Sequence, residues 1–237
     1  MGNARELLRL DSGAQEIEAA VRLRVSARAR RLVLRVDAAA RQVELVLPKG
    51  VSRARGLAFL AERRGWVLAR LRALPERVPF AEGAVVPILG LPHRIVVETD
   101  PAAPPVAIVA GEIRVRGDRA HLARRVRDHL GQAARVELAR RVRPLAAAID
   151  RKAARIGVRD GKSRWGSCSS KGNLSFSWRL ILAPESVLAY VVAHEVAHLA
   201  EMNHGKRFWQ IVERLSPNSA QARAWLRRNR STLLCYG

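Results

Sequence analysis

Residues 194–198 read His-Glu-Val-Ala-His, a spacing with a definite chemical use. On an α-helix, positions i and i+4 lie one above the other, so His194 and His198 can aim ring nitrogens at a single point. Two imidazoles so placed suit Zn2+, one ion per chain, at about 2.0–2.1 Å. Glu195 falls about 100° round the helix from His194, beside such an ion rather than on it. A carboxylate there can accept a proton from a metal-bound water and hand it to a leaving amine. Chance alone produces this string in roughly one chain in a hundred of such length, so its surroundings decide its meaning.

Those surroundings favour a metal. Val187, Leu188, Val191, Val192, Val196 and Leu199 give the segment an apolar periodicity, as expected of a helix buried beside a site. Residues 180–205 contain neither Lys nor Arg, the longest such gap in the chain; a neighbouring cation would oppose a bound dication. A third histidine, His204, follows in Leu199-Ala200-Glu201-Met202-Asn203-His204-Gly205. A regular helix would carry it away from the metal, so the chain must turn first; Asn203, tolerant of the left-handed region, and Gly205 suggest how. Glu201 is the rival third ligand, on the same face but about 10 Å along the axis from His194. Water or substrate would fill the fourth position. Tyr190, one turn before His194, is a candidate to support a ligand or polarise a carbonyl, or else a packing residue. His93, His121 and His129 lack such company, and Cys168 reads as an inert thiol.

The elements that must position these residues are legible in outline. The alternation of Val21, Leu23 and Val25, and the runs Leu32–Leu34 and Val43–Leu47 about Asp37-Ala38-Ala39-Ala40, predict strands and a hairpin ended by Pro48. Ser52 to about Leu74 has helical spacing, weakened by Gly56 and Gly65. Residues 75–117 read as further short strands around a loop at Asp100–Pro105. Past Asp118, a plausible N-cap, a helical stripe from Leu122 to Ile149 predicts a long helix to about Arg155, kinked or divided at Pro144. Lys162–Ser167, the turn Ser169–Asn173 and Leu174–Leu180 predict a second hairpin. Pro184 and Glu185 open the histidine-bearing helix. The expected fold is α+β, with a β-rich region over 1–117 and a second domain over 118–237 holding a long helix, the hairpin, the histidine helix and C-terminal helices.

Composition narrows the class. The chain has 237 residues, 49% hydrophobic and 27% charged, enough for a real core and unlike a disordered chain. Without an 18-residue apolar run no spanning helix is expected. Met1-Gly2-Asn3-Ala4-Arg5-Glu6 leads into no apolar leader segment. Two cysteines, Cys168 and Cys235, exclude a disulfide framework, and a cytoplasmic setting follows as the expectation. The net charge of +22 raises the question of a nucleic-acid partner. Its 38 Arg against 5 Lys are scattered almost everywhere, however, as on a generally basic surface.

Ser163-Arg164-Trp165-Gly166-Ser167-Cys168, Arg179-Leu180-Ile181, Ala183-Pro184, Tyr190-Val191-Val192 before His194-Glu195, Asn203-His204, Phe208-Trp209 and Ala224-Trp225-Leu226 together resemble the YgjP-like zinc metallopeptidases, relatives of the SprT-like and minigluzincin-type zincins. The resemblance spans roughly residues 20–230 and is strongest from Lys162 to Trp225. It implies a zincin-like domain, zinc on His194, His198 and His204, and Glu195 as the catalytic carboxylate. The expected function is metal-dependent hydrolysis of peptide bonds in a peptide or protein substrate. The strand Arg164–Ser167 would be the substrate edge, with Arg164 binding a carboxylate or phosphate or simply packing. Two other functions fit less well. Family members also suggest a nucleotide (UTP) pyrophosphatase, but no phosphate-cradling glycine loop is present. A protein acting on or binding DNA-bound partners lacks an aromatic-interleaved basic platform.

Overall fold

The structure is a computed structural model that describes residues 5–11, 16–38, 40–161 and 163–237, with backbone alone for 5–11 and 16–18. Met1–Ala4 of the opening segment, Ala39 of the first turn and Lys162 of the second hairpin lie outside these residues. The fold is α+β, and the chain divides into two compact units, Met1–Glu76 and Arg77–Gly237.

In the first unit, β1 (Arg5–Asp11), β2 (Glu16–Ser26), β3 (Val33–Asp37) and β4 (Gln42–Pro48) form one sheet in the order β1-β2-β4-β3. The expected hairpin is the antiparallel pair β3–β4; β2 runs parallel to β4, and β1 adds a strand that periodicity did not suggest. Val21, Leu23, Val43, Leu45 and Leu47 bury one face, as alternation requires. The helix expected over 52–74 is two, α1 (Arg53–Glu62) and α2 (Arg64–Arg72), broken at Arg63 just before Gly65. Leu60, Val67, Leu68 and Leu71 complete this unit's core.

The second unit holds the chemistry. Strands β5 (Val85–Ile88), β6 (Leu91–Glu98), β7 (Val106–Val109) and β8 (Glu112–Arg116) form a sheet in the order β5-β6-β8-β7. Val86, Ile88, Ile95, Ile113 and Val115 bury themselves in one cluster with the long helix α3 (Leu122–Ala147). The strands read above as part of the N-terminal region thus share their core with the helix that follows them. Asp118 caps the entry, its Oδ1 accepting from the Ala120 N–H at 2.9 Å. Pro144 does not divide α3 but sits in its last turn, so the bond its missing N–H forgoes and its ring's clash fall near the helix end rather than mid-helix. Nor does the helix reach Arg155. The chain reverses through Asp150, at φ +53°, and Arg155–Arg159 is a strand, β9. It pairs parallel with β11 (Asn173–Ser177), which pairs antiparallel with β10 (Gly166–Cys168), so β10 lies at the sheet's edge.

A 3-10 turn over Trp178–Leu182 leads into α4 (Glu185–Ala197). The Leu89-Gly90 turn between β5 and β6, both residues at positive φ, docks on this junction. Leu89 N–H donates to the Ile181 carbonyl at 2.6 Å, and a Cβ at Gly90 would stand 3.0 Å from Pro184 Cα. Arg141 of α3 holds the first turn of α4 through Glu185 Oε1 at 2.6 Å. Arg179, 5% exposed, bonds Asp160 and the carbonyls of Leu233 and Tyr236, which ties the chain's end to the 3-10 turn. The helices α5 (Lys206–Leu215), α6 (Ser219–Arg228) and α7 (Arg230–Leu234) complete the unit. No helix among the described residues is long and apolar enough to cross a membrane.

Leu138, fully buried in the α3 stripe, tests this packing. Leu138→Ala is expected to lower stability by about 2–5 kcal/mol, read from urea unfolding monitored by circular dichroism.

Candidate metal centre

Helix α4 is apolar all round, which is stable only for a helix with neighbours on every side. It packs against α3, α5, α6, β10 and the 3-10 turn, and Val187, Leu188, Val191, Val192 and Val196 are buried. His194 and His198 project from its last turn and Glu195 lies between them, 6% exposed.

The helix stops at His198. Leu199 N–H bonds the Val196 carbonyl at 2.9 Å and Ala200 N–H the Ala197 carbonyl at 3.1 Å, so the last turn tightens to i→i−3 bonding. The expected left-handed turn at Asn203 and Gly205 is absent: neither has positive φ, and Gly205 is extended at φ −79°, ψ −175° as the N-cap of α5. A short Gly205 N–H to Asn203 carbonyl bond, 2.8 Å, completes the reversal. His204 is thereby returned to the first two histidines. Candidate ligand nitrogens of His194, His198 and His204 all lie within 4.8 Å of one another, and Nε2 of His194 and His204 stand 3.2 Å apart. Two ligands of a tetrahedral ion at 2.0–2.1 Å would be about 3.3 Å apart, so the donor set fits a divalent ion in type and spacing.

Glu201, the rival ligand, is outside this cluster. Its carboxylate pairs with Arg207 at 3.3 Å, while its backbone carbonyl accepts the Nδ1–H of His198 at 3.0 Å. That bond places the His198 proton on Nδ1 and leaves Nε2 as the free donor atom. His194 Nδ1 is buried without a hydrogen-bond partner among the described residues, so no bond from that nitrogen orients the ring, and the aromatic neighbours pack against it. Phe208, fully buried on α5, has its ring centroid 5.0, 4.5 and 4.7 Å from those of His194, His198 and His204. The Trp209 ring centroid lies 5.9 Å from those of both His194 and His204, edge-on to the first and tilted to the second. The Phe208-Trp209 pair was visible in the sequence, but the place of Phe208 against all three imidazoles was not, because it depends on the path the chain takes through the reversal before His204.

The electrostatics follow from burial. Desolvation, aided by His198, His204 and Arg223, lowers the His194 pKa to about 4, and burial also lowers that of His198. Both rings are therefore neutral at pH 7, as metal ligands must be. Burial raises the Glu195 pKa to about 7, with the Arg164 charge pulling the other way. Gly166 of β10 makes this placement possible: a Cβ there would come 2.5 Å from both Cγ and Oε1 of Glu195. Tyr190 is buried, its ring 5.9 Å from that of His194. With Trp165, Gly166, His194 and Glu195 it lines a cavity of about 400 Å3. Arg164 is exposed. Cys168 lies outside the histidine cluster, and burial raises its pKa, with a further push from Glu195, which disfavours the thiolate. His93, on β6, bonds the Leu91 carbonyl, and neither it, His121 nor His129 joins the cluster.

Phe208→Leu keeps an apolar side chain but removes the aromatic ring that packs against the three imidazoles. Zinc affinity, measured by competition with a chromophoric chelator, is expected to fall about tenfold or more while the protein stays folded.

Residues 30–229 match the family described as YgjP-like, metallopeptidase domain. Comparison with curated proteins and with solved structures finds no match. With most of its length matched, including the histidine cluster, β10 and the helices around them, the chain belongs to the YgjP-like family and carries its metallopeptidase domain.

Proposed function

We propose that this protein is a zinc-dependent peptidase in which His194, His198 and His204 hold one ion and Glu195 is the general base. The observation that carries this reading is the convergence of the three imidazoles within 4.8 Å next to a buried carboxyl group. His194, His198 and His204 would supply three protein ligands, one fewer than a structural zinc site takes and the number usual for catalytic zinc. When bound, the ion supplies Lewis acidity, polarising the scissile carbonyl and making water easier to deprotonate.

The remaining work falls to side chains of this chain. Glu195 takes a proton from the attacking water and gives it to the amine nitrogen as the peptide bond breaks, serving first as base and then as acid. Burial, which disfavours its charged form, suits the carboxyl group to take up the proton as well as to release it. Gly166 leaves the space the carboxyl group occupies. An extended substrate would lie along the edge strand β10, where main-chain bonding is sequence-tolerant and neighbouring cavities select side chains. Tyr190, which lines the cavity, and Arg164, whose charge reaches Glu195, are assigned to the substrate side. The two free cysteines accord with action in the reducing cytoplasm.

Three variants separate the parts of this reading. Glu195→Gln is expected to keep about one zinc per chain and lose peptide hydrolysis by about 100-fold or more. His194→Ala should lose both. Gly166→Ala should keep the metal yet displace Glu195 and cost about 100-fold in rate. Metal analysis and a fluorogenic peptide assay on the same preparations check all three; an active Glu195→Gln enzyme would contradict the assigned base.

A further inference from the structure

The cavity beside Glu195 has a cationic wall. Arg223, Arg227 and Arg230 line it, all three exposed at their outer ends. Arg223 and Arg227 stand one turn apart on α6, and Arg230 opens α7 three residues on. The guanidinium of Arg223 lies 4.9 Å over the Trp209 ring, and Arg230 donates to the Ser163 carbonyl at 3.1 Å. These contacts hold two of the three groups in place at the cavity rather than loose in solvent. Against the three cations the lining offers one carboxyl group, Glu195.

Arginine is abundant throughout this chain, so proximity alone would mean little. Its distribution here is selective, however. Residues 180–205, which carry His194, Glu195, His198 and His204, have no cation at all, whereas α6 and the start of α7 present three to the same cavity. Like charges one turn apart on a helix repel, a cost that an anionic ligand removes. The apolar part of the lining, Trp165, Val191 and Leu226, reduces solvent screening of such a contact.

Resting on the peptidase reading, we infer that this arginine wall is the specificity pocket and binds a carboxylate of the substrate peptide. The carboxylate is either an Asp or Glu side chain within a residue or two of the bond cleaved, or the peptide's own C-terminus. The planar guanidinium fork matches a carboxylate through two parallel N–H···O bonds, a geometry that a neutral amide reproduces poorly.

The test uses the full chain loaded with zinc and a positional library of N-acetylated, C-amidated decapeptides carrying Glu, Gln or Lys at each position, with matched free-acid versions. For a side-chain carboxylate, kcat/KM for Glu at one position near the cleaved bond should exceed that for Gln by about tenfold or more, and Lys should be poorest. For a terminal carboxylate, the free acid should exceed the amide by a similar factor. Arg227→Glu should abolish or reverse that preference and Arg223→Gln should weaken it, whereas Arg124→Glu, remote on α3, should leave the ratio as it is. Calorimetry with the Glu195→Gln protein gives a readout independent of turnover: the preferred peptide should bind about tenfold tighter than its neutral counterpart. Equal rates for Glu, Gln and Lys together with equal rates for acid and amide would overturn the inference, as would an Arg227→Glu enzyme with unchanged preference. Failure to cleave any peptide, with or without release of pyrophosphate from UTP, would instead defeat the peptidase reading and the inference with it.

Discussion

A histidine six residues beyond the second ligand of a helix can meet the first two only if the helix ends on time. In this chain α4 stops at His198, and the tightened turn that follows brings His204 Nε2 to 3.2 Å from His194 Nε2. One carbonyl from that turn, Glu201's, also fixes the proton of His198. Ending the helix and preparing the ligand are the same structural event. Phe208, placed by the first turn of α5, then packs its ring against all three imidazoles, tilted over His198 and edge-on to His194 and His204. The site is therefore a property of the α4–turn–α5 segment, and the rest of the second unit serves to hold that segment still.

Burial decides the electrostatics. A helix surrounded by α3, α5, α6 and β10 keeps its histidines neutral and its carboxyl group reluctant to ionise, since desolvation penalises either charge. The cation-free stretch from 180 to 205 keeps competing positive charge off the same segment, which lowers the electrostatic cost of placing a dication there. Close approach of a backbone is the other requirement. Gly166 lets β10 run against Glu195, which puts the sheet's open edge beside that buried carboxyl group.

Much of this was readable from residues alone because the pattern is local. His194, Glu195 and His198 depend only on helical periodicity, and the hairpin at 33–48 only on alternation and turn chemistry. What failed to show was non-local or ambiguous in period. The helix expected to about Arg155 ends at Ala147, and β9, only five residues long, shows as a strand once its parallel partner β11 is in place. The break between α1 and α2 was hinted at by Gly65 but not placed. The reversal before His204 was required by geometry, yet it proceeds through ordinary right-handed and extended backbone rather than through Asn203 and Gly205 in the left-handed region. Arg223, Arg227 and Arg230 carried no signal against so many other arginines, because only folding brings α6 to the cavity.

The central claim is that three imidazoles share one divalent ion. X-ray absorption at the zinc edge of protein loaded with one equivalent of zinc tests it most directly. The account predicts three imidazole nitrogens among the ligands at about 2.0–2.1 Å, falling to two in His204→Ala. A sulfur ligand at about 2.3 Å, or a spectrum that His204→Ala leaves unchanged, would contradict it.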